Sequence, residues 1–324
     1  MLFRSDWLMW RRTYNGWGYS ALNQINKDNV KNLQLVWSWG LTPGGTTQET
    51  PLVHDGVMFV QNSTHLIQAL DAATGELLWQ YQHRLPDTVS PNGVRTKAIY
   101  GDNLIVATRD AHVIAINAKT GKLVWDQQVG DPKKGWGYSS GPIVANGVIV
   151  QGMTGCGNAQ PGGCFFTGHD PRTGKELWRI NTVARGDTPE GNSWNGIPLE
   201  SRYGGSAWIA GSYDPEQNLI FAGVGQPYPW PAVINGLLPK SADPKYTNNA
   251  LYTDSTLAID PSTGKLKWYH QYLANDTLDL DYVYERLLID LPVNGQTRKT
   301  VVTAGKLAIV EAIDRVNEIG RAHV

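Results

Sequence analysis

One short phrase recurs along the chain and limits what it can fold into. Residues 69–79 read ALDAATGELLW, 115–125 AINAKTGKLVW, 168–178 GHDPRTGKELW and 258–268 AIDPSTGKLKW. A worn copy begins at Tyr213 (YDPEQNLIF) and a broken one at Ala312 (AIDR). Counted from Asp71, the equivalent positions are Asn117, Asp170, Asp214, Asp260 and Asp314, at steps of 46, 53, 44, 46 and 54 residues. A period of this length predicts a repeat architecture built from small supersecondary units.

The unit has a physical reading. A small or apolar stretch ends a strand, and Asp, a polar pair and Thr-Gly then make a tight turn in which Gly supplies positive φ. A second strand follows and ends in Trp. Upstream lie apolar, β-rich runs such as Gly56 to Val60, Asn103 to Ala107 and Gly147 to Val150. Each repeat therefore predicts about four short strands, which is one propeller blade, and the fold class is all-β. Trp79, Trp125, Trp178 and Trp268 recur in every clear copy, so they are expected to pack between blades rather than to touch one ligand.

Composition excludes some functions. The formal net charge of −1 argues against a nucleic-acid partner. No apolar run approaches the ~18 residues of a membrane-spanning helix, so no transmembrane segment is expected. There is no C-x-x-C-H for haem and no G-x-G-x-x-G opening a helix for a nicotinamide. The ends look foreign. Residues 1–5 and 318–324 resemble translated sequencing-adapter sequence, and the latter break the repeat where Thr-Gly is due. The repeat domain is therefore expected to occupy residues 6–317 and to be incomplete, so a missing signal peptide says nothing about compartment. Leu22 to Val36 predicts one short helix starting near Asn26 or Asp28, and Trp37-Ser38-Trp39 predicts a strand.

The opening, the phrase Gln48-Glu49-Thr50-Pro51-Leu52-Val53 and the repeats together resemble the pyrroloquinoline-quinone (PQQ) dependent alcohol dehydrogenases. The resemblance implies an eight-bladed propeller, of which about six blades are present, binding PQQ and a metal on its axis. It implies oxidation of an alcohol, electrons passed to an external acceptor such as a cytochrome c or a quinone, and a periplasmic or secreted location.

It also implies site residues. Glu49 matches a Glu near the quinone; the alternative is a solvated loop carboxylate. Arg95 matches an Arg placed for a PQQ carboxylate, which a guanidinium fork suits. Ser139 and Thr154 match hydroxyls that bond the quinone acid groups, although hydroxyls at strand ends are common. Trp208, outside the repeat register, matches the flat floor beneath the ring. Asp279, in Asn275-Asp276-Thr277-Leu278-Asp279-Leu280-Asp281-Tyr282, matches the catalytic base and metal neighbour. Lys306, a lone cation in an apolar strand region, matches the cation at the quinone oxygen. Asp276, Asp279, Asp281 and Glu285 would repel unless a cation neutralised them; a solvated acidic loop is the alternative. Asn249, with Asn248 as competitor, matches the metal-binding Asn. The loop from Gln226 to Lys245 is expected to form a substrate-access wall.

The family's calcium enzymes use a Glu that is absent here, where Thr154-Gly155-Cys156 is followed by Gly157 and Asn158. Asp281 takes the place of an extra Asp found in lanthanide-type members. Two carboxylates, Asp279 and Asp281, with Asn249 and Asn158 as neutral donors, favour Ca²⁺ over a lanthanide; a metal-free Asp281 paired with Arg286 or Lys306 is the alternative. Cys156 and Cys164, the only cysteines, flank a flexible Gly/Pro/Asn loop and are read as a disulfide or as two free thiols. A non-catalytic propeller scaffold of the outer-membrane assembly type, and an inactive fragment of the enzyme, are the rival readings of function.

Overall fold

The computed structural model describes residues 6–43, 45–157, 161–228, 241–316 and the backbone of 321–323. The chain forms five four-stranded antiparallel sheets among the described residues. The first has strands Leu52–His54, Val57–Gln61, Leu66–Asp71 and Leu77–Gln82. The second has Ala98–Tyr100, Asn103–Ala107, His112–Asn117 and Leu123–Gln128. The third comprises Ile143–Ala145, Val148–Gly152, Phe165–His169 and Glu176–Asn181. The fourth comprises Ser212–Asp214, Leu219–Val224, Ser255–Ile259 and Leu266–Gln271. The fifth comprises Leu287–Val293, Gln296–Ala304, Val310–Asp314 and Arg321–His323. Each sheet packs face to face on the next in chain order. Ile67 shares one buried apolar core with Leu104 and Ile114, Ile105 one with Ile149, Phe166 one with Ile220, and Phe221 one with Val301. This is β-propeller architecture.

The repeated phrase is the turn between the last two strands of a sheet. Asp71 Oδ1 accepts hydrogen bonds from the backbone N–H of Ala73 and Thr74 and from the Thr74 hydroxyl. Asn117 and Asp170 accept in the same way from their own turns. The glycine is needed twice over: Gly75, Gly121, Gly174 and Gly264 have φ near +70°, and the last three lie under a Trp of the preceding sheet, Gly75 under Trp37. A Cβ at Gly174 would stand 2.5 Å from the Trp125 ring and one at Gly264 2.5 Å from Trp178. The indole N–H groups of Trp79, Trp125 and Trp178 donate to Ala118 O, Pro171 O and Pro261 O of the next turn. The inter-sheet role expected of these Trp residues is therefore met. Trp268 packs against the core between the fourth and fifth sheets, with its ring on Phe221.

Three expectations are corrected. The worn copy at Tyr213 is not a further unit: Asp214 ends the first strand of the sheet whose third strand leads into Asp260. It reads like the repeat because Asp214 makes the same kind of turn, accepting from the backbone of Glu216 and Gln217. Residues 22–36 hold only a single 3-10 turn, Val30–Asn32. Leu22, Ile25 and Leu33 stay exposed there, and an unpacked helix this short is marginal. Trp37-Ser38-Trp39 pairs with no strand among the described residues, yet Trp37 sits on Gly75 and donates to Ala72 O, as the repeated Trp does elsewhere.

Candidate active site

The acidic phrase wraps around one of its own side chains. Asp276 is buried and accepts from the N–H of Leu278 (2.9 Å) and Leu280 (2.7 Å). The loop then passes through Asp279 at φ +60°. Lys306, entering from the turn after Gln296–Ala304, reaches this loop: Nζ lies 3.0 Å from Asp279 Oδ2, 2.7 Å from Asp279 O and 2.8 Å from Asp281 Oδ2. Gln226 Nε2 donates to the other Asp279 oxygen. Partial burial works against the Lys306 ammonium, but its hydrogen bonds to Asp281 and Asp279, and their charge, raise its pKa. Burial pushes the Asp281 carboxyl up, with Lys306 opposing.

A further carboxyl was not anticipated. Asp254 is fully buried just before Ser255–Ile259, and burial, then Asp276 and Asp281, push its pKa well up. Only its position five residues after Asn249 hinted at this. Asp254 Oδ2, Asn275 Oδ1 and Asp281 Oδ1 are buried without a hydrogen-bond partner. Buried orphan oxygens are expensive unless something binds them, and oxygen donors suit a hard cation, but among the described residues the carboxylates of Asp254, Asp279 and Asp281 do not all lie within 4.8 Å of one another. Asn249 is exposed; its carbonyl accepts from Asn275 N (3.4 Å) and Gln271 Nε2 (2.8 Å), so it borders the same loop. Asn158 and residues 229–240 of the expected access wall lie outside the described residues. Glu285, counted with the acids, pairs with Arg11 at 2.5 Å. Arg286 bonds Thr256 Oγ1 and nearby carbonyls, so Asp281 pairs with Lys306 rather than with Arg286.

A second group of residues surrounds Trp208. The Arg95 guanidinium lies over its ring, 4.8 Å from the centroid, and Tyr284 meets it edge-on at 5.2 Å. Arg95 Nη1 donates to Ser139 O (3.1 Å) and Trp208 O (3.3 Å). The buried Thr154 hydroxyl donates to Gly137 O at 2.7 Å. Glu49 sits beside this group, since Thr50 N donates to Arg95 O. Its carboxylate pairs with Lys97, a residue the sequence reading passed over. Lys97 is fully buried, and burial pushes its pKa down to about 7.

The two groups share one scaffold. Gly205 N donates to Gln226 O and Gly225 N to Ser206 O, tying the Trp208 segment to the residue that holds Asp279. Cys156 and Cys164 form a disulfide with Cα atoms 5.4 Å apart. Gly204 N donates to Cys156 O, and Cys164 N to Gly204 O, so the closed loop braces the same segment. A flat ring beside a guanidinium suits a planar polycarboxylate such as PQQ.

The PQQ family model, described as glucose/ethanol/alcohol dehydrogenase, beta-propeller domain, matches residues 7–318. Quinohemoprotein alcohol dehydrogenase ADH IIB of Pseudomonas putida is 34% identical, over 96% of this chain and 46% of its own length. Quinoprotein alcohol dehydrogenase PedH of the same species is 34% identical, over 93% of this chain and 52% of its own. The solved quinohemoprotein alcohol dehydrogenase ADHIIG from Pseudomonas putida HK5 superposes with a TM-score of 0.86 at 30% identity, covering 99% of this chain and 48% of that one. A europium-containing methanol dehydrogenase does so at 0.83 and 25% identity, covering 99% and 58%. The chain spans about half the length of the curated relatives it matches.

Proposed function

The chain belongs to the PQQ-dependent alcohol dehydrogenase family, and from that premise we propose that its parent protein oxidises an alcohol with Asp279 as base. The observation that carries this reading is Lys306 bridging Asp279 and Asp281 on the scaffold that also holds Trp208. When bound, PQQ supplies the electron sink that accepts a hydride from the alcohol carbon. Trp208 supports its ring, and Arg95, Ser139, Thr154 and Glu49 orient its polar edge. Asp279 takes the hydroxyl proton of the substrate. Gln226 and Lys306 fix that carboxylate, and the ammonium supplies the charge that lets two acids sit together.

Asn249, Asp279 and Asp281 would hold a hard cation, with Asp254 and Asn275 as further oxygen donors. Such an ion acts as a Lewis acid. Burial, then Asp276 and Asp281, raise the Asp254 pKa, and the two carboxylates that Lys306 bridges are Asp279 and Asp281. That set favours Ca²⁺ over a trivalent lanthanide. The substrate is a small or primary alcohol, and electrons leave to a cytochrome c or a quinone. The disulfide favours a periplasmic or secreted setting. The test is dye-linked alcohol oxidation by the protein in its full natural length after loading with PQQ and Ca²⁺. Activity that needs both additions supports the reading; none with any alcohol or cation overturns it.

A further inference from the structure

Arg109 follows the strand Asn103–Ala107 in Ala107-Thr108-Arg109-Asp110 and matches nothing the family resemblance led us to expect. Its backbone is pinned on both sides. Arg109 N donates to His65 Nε2 (3.3 Å), and a Cβ at Gly137 would stand 2.3 Å from Arg109 O. The segment Gly137-Tyr138-Ser139 is the common support of several site residues. Tyr138 N donates to Thr108 O, Arg95 N to Ser139 O, and Thr154 Oγ1 to Gly137 O. Arg95, Arg109, Ser139 and Thr154 are thereby gathered around three consecutive residues.

Charge acts on Arg95 from both sides, Glu285 attracting it without pairing and Arg109 repelling it. Neither Arg95 nor Arg109 forms an ion pair with a carboxylate among the described residues. Arg109 Nε is buried and makes no hydrogen bond. The two guanidiniums are close enough to repel, and burial holds the pKa of each below its ordinary value. Two partly desolvated cations side by side are unfavourable unless an anion joins them. Structural arginines escape this by bonding carbonyls, as Arg202 does with Ile197, Ala184 and Gly191 and Arg95 with Ser139 and Trp208; among the described residues the Arg109 guanidinium has no such bonds.

We propose that Arg109 is a second guanidinium for the cofactor, acting with Arg95 on the carboxylates of the bound quinone. The inference rests on the PQQ reading above. It is tested by equilibrium binding of PQQ to the metal-loaded apoprotein of full natural length, followed by quenching of tryptophan fluorescence. Arg109→Gln should weaken PQQ binding at least about tenfold, the scale of one lost charged hydrogen bond, and Arg109→Lys should recover part of it. The trimethyl ester of PQQ, which has no free carboxylate, should bind wild type and Arg109→Gln nearly alike. Equal affinities of wild type and both variants for PQQ would overturn the role of Arg109 and leave the PQQ reading standing. So would an equal loss for PQQ and its ester, which marks a structural effect. A wild-type protein that takes up no PQQ overturns both.

Discussion

Lys306 Nζ stands 3.0 Å from Asp279 Oδ2, although the residues lie 27 positions apart and on opposite sides of a hairpin. Its position makes a first prediction. Lys306→Ala should leave Asp279 and Asp281 facing each other uncompensated and lower alcohol oxidation by about 100-fold or more, the scale of a lost electrostatic stabiliser. Lys306→Arg should retain part of the rate. A Lys306→Ala enzyme with wild-type kcat and KM would remove the ammonium from the chemistry.

The metal assignment is open to direct exchange. After chelation and dialysis with PQQ present, Ca²⁺ should restore activity to the full-length protein, and Asp281→Ala should raise the Ca²⁺ concentration needed at least about tenfold. Restoration by La³⁺ alone would contradict the calcium preference. An unchanged Ca²⁺ requirement in Asp281→Ala would take that residue out of the site.

Lys97 predicts a pH dependence. Its pKa falls from 10.5 to about 7 on burial, so between these values the unfolded chain holds a proton that the folded chain lacks. Stability should therefore rise as pH climbs through this window and level off above it. Thermal melting across that range should show the rise in wild type. In Glu49→Gln/Lys97→Met, which removes both buried ionisable groups, the rise should be lost. An identical slope in the double variant would assign it to other groups.

The repeat makes a prediction about stability alone. Gly174 has φ +75° and lies under Trp125, whereas Gly56 has the same φ with nothing within 4 Å of a Cβ. Gly56→Ala should cost about 1 kcal/mol for the backbone strain, and Gly174→Ala about 2 kcal/mol more for displaced packing. Urea midpoints of the two variants should differ in that order. Equal midpoints would mean that the Trp125 contact contributes little.

Local chemistry that repeats was legible in the sequence. Asp71, Thr74 and Gly75 specify a turn through their own hydrogen bonds and φ, so four such turns could be read without a structure. The same logic misread Asp214, because an Asx turn looks alike at either end of a hairpin. Asp279 and Lys306 were legible through family resemblance, which carried no information about Arg109, Lys97, Gln226 or Asp254. Their roles arise from burial and from contacts across sheets, such as Gln226 to Asp279 over 53 positions. Sequence spacing alone encodes neither. The Trp37 docking was hidden for a related reason, since its neighbours predicted a strand and the segment pairs with none among the described residues.

Asp279, as the base for the alcohol hydroxyl, should set the rate at which a bound quinone is reduced. The measurement is a single turnover: full-length protein loaded with PQQ and Ca²⁺ is mixed with excess primary alcohol, and the oxidised-quinone absorbance is followed. Wild type should bleach. Asp279→Ala should bind PQQ comparably yet bleach at least about 100-fold more slowly, as expected when a general base is removed. An Asp279→Ala protein that holds PQQ and bleaches at the wild-type rate would contradict the account.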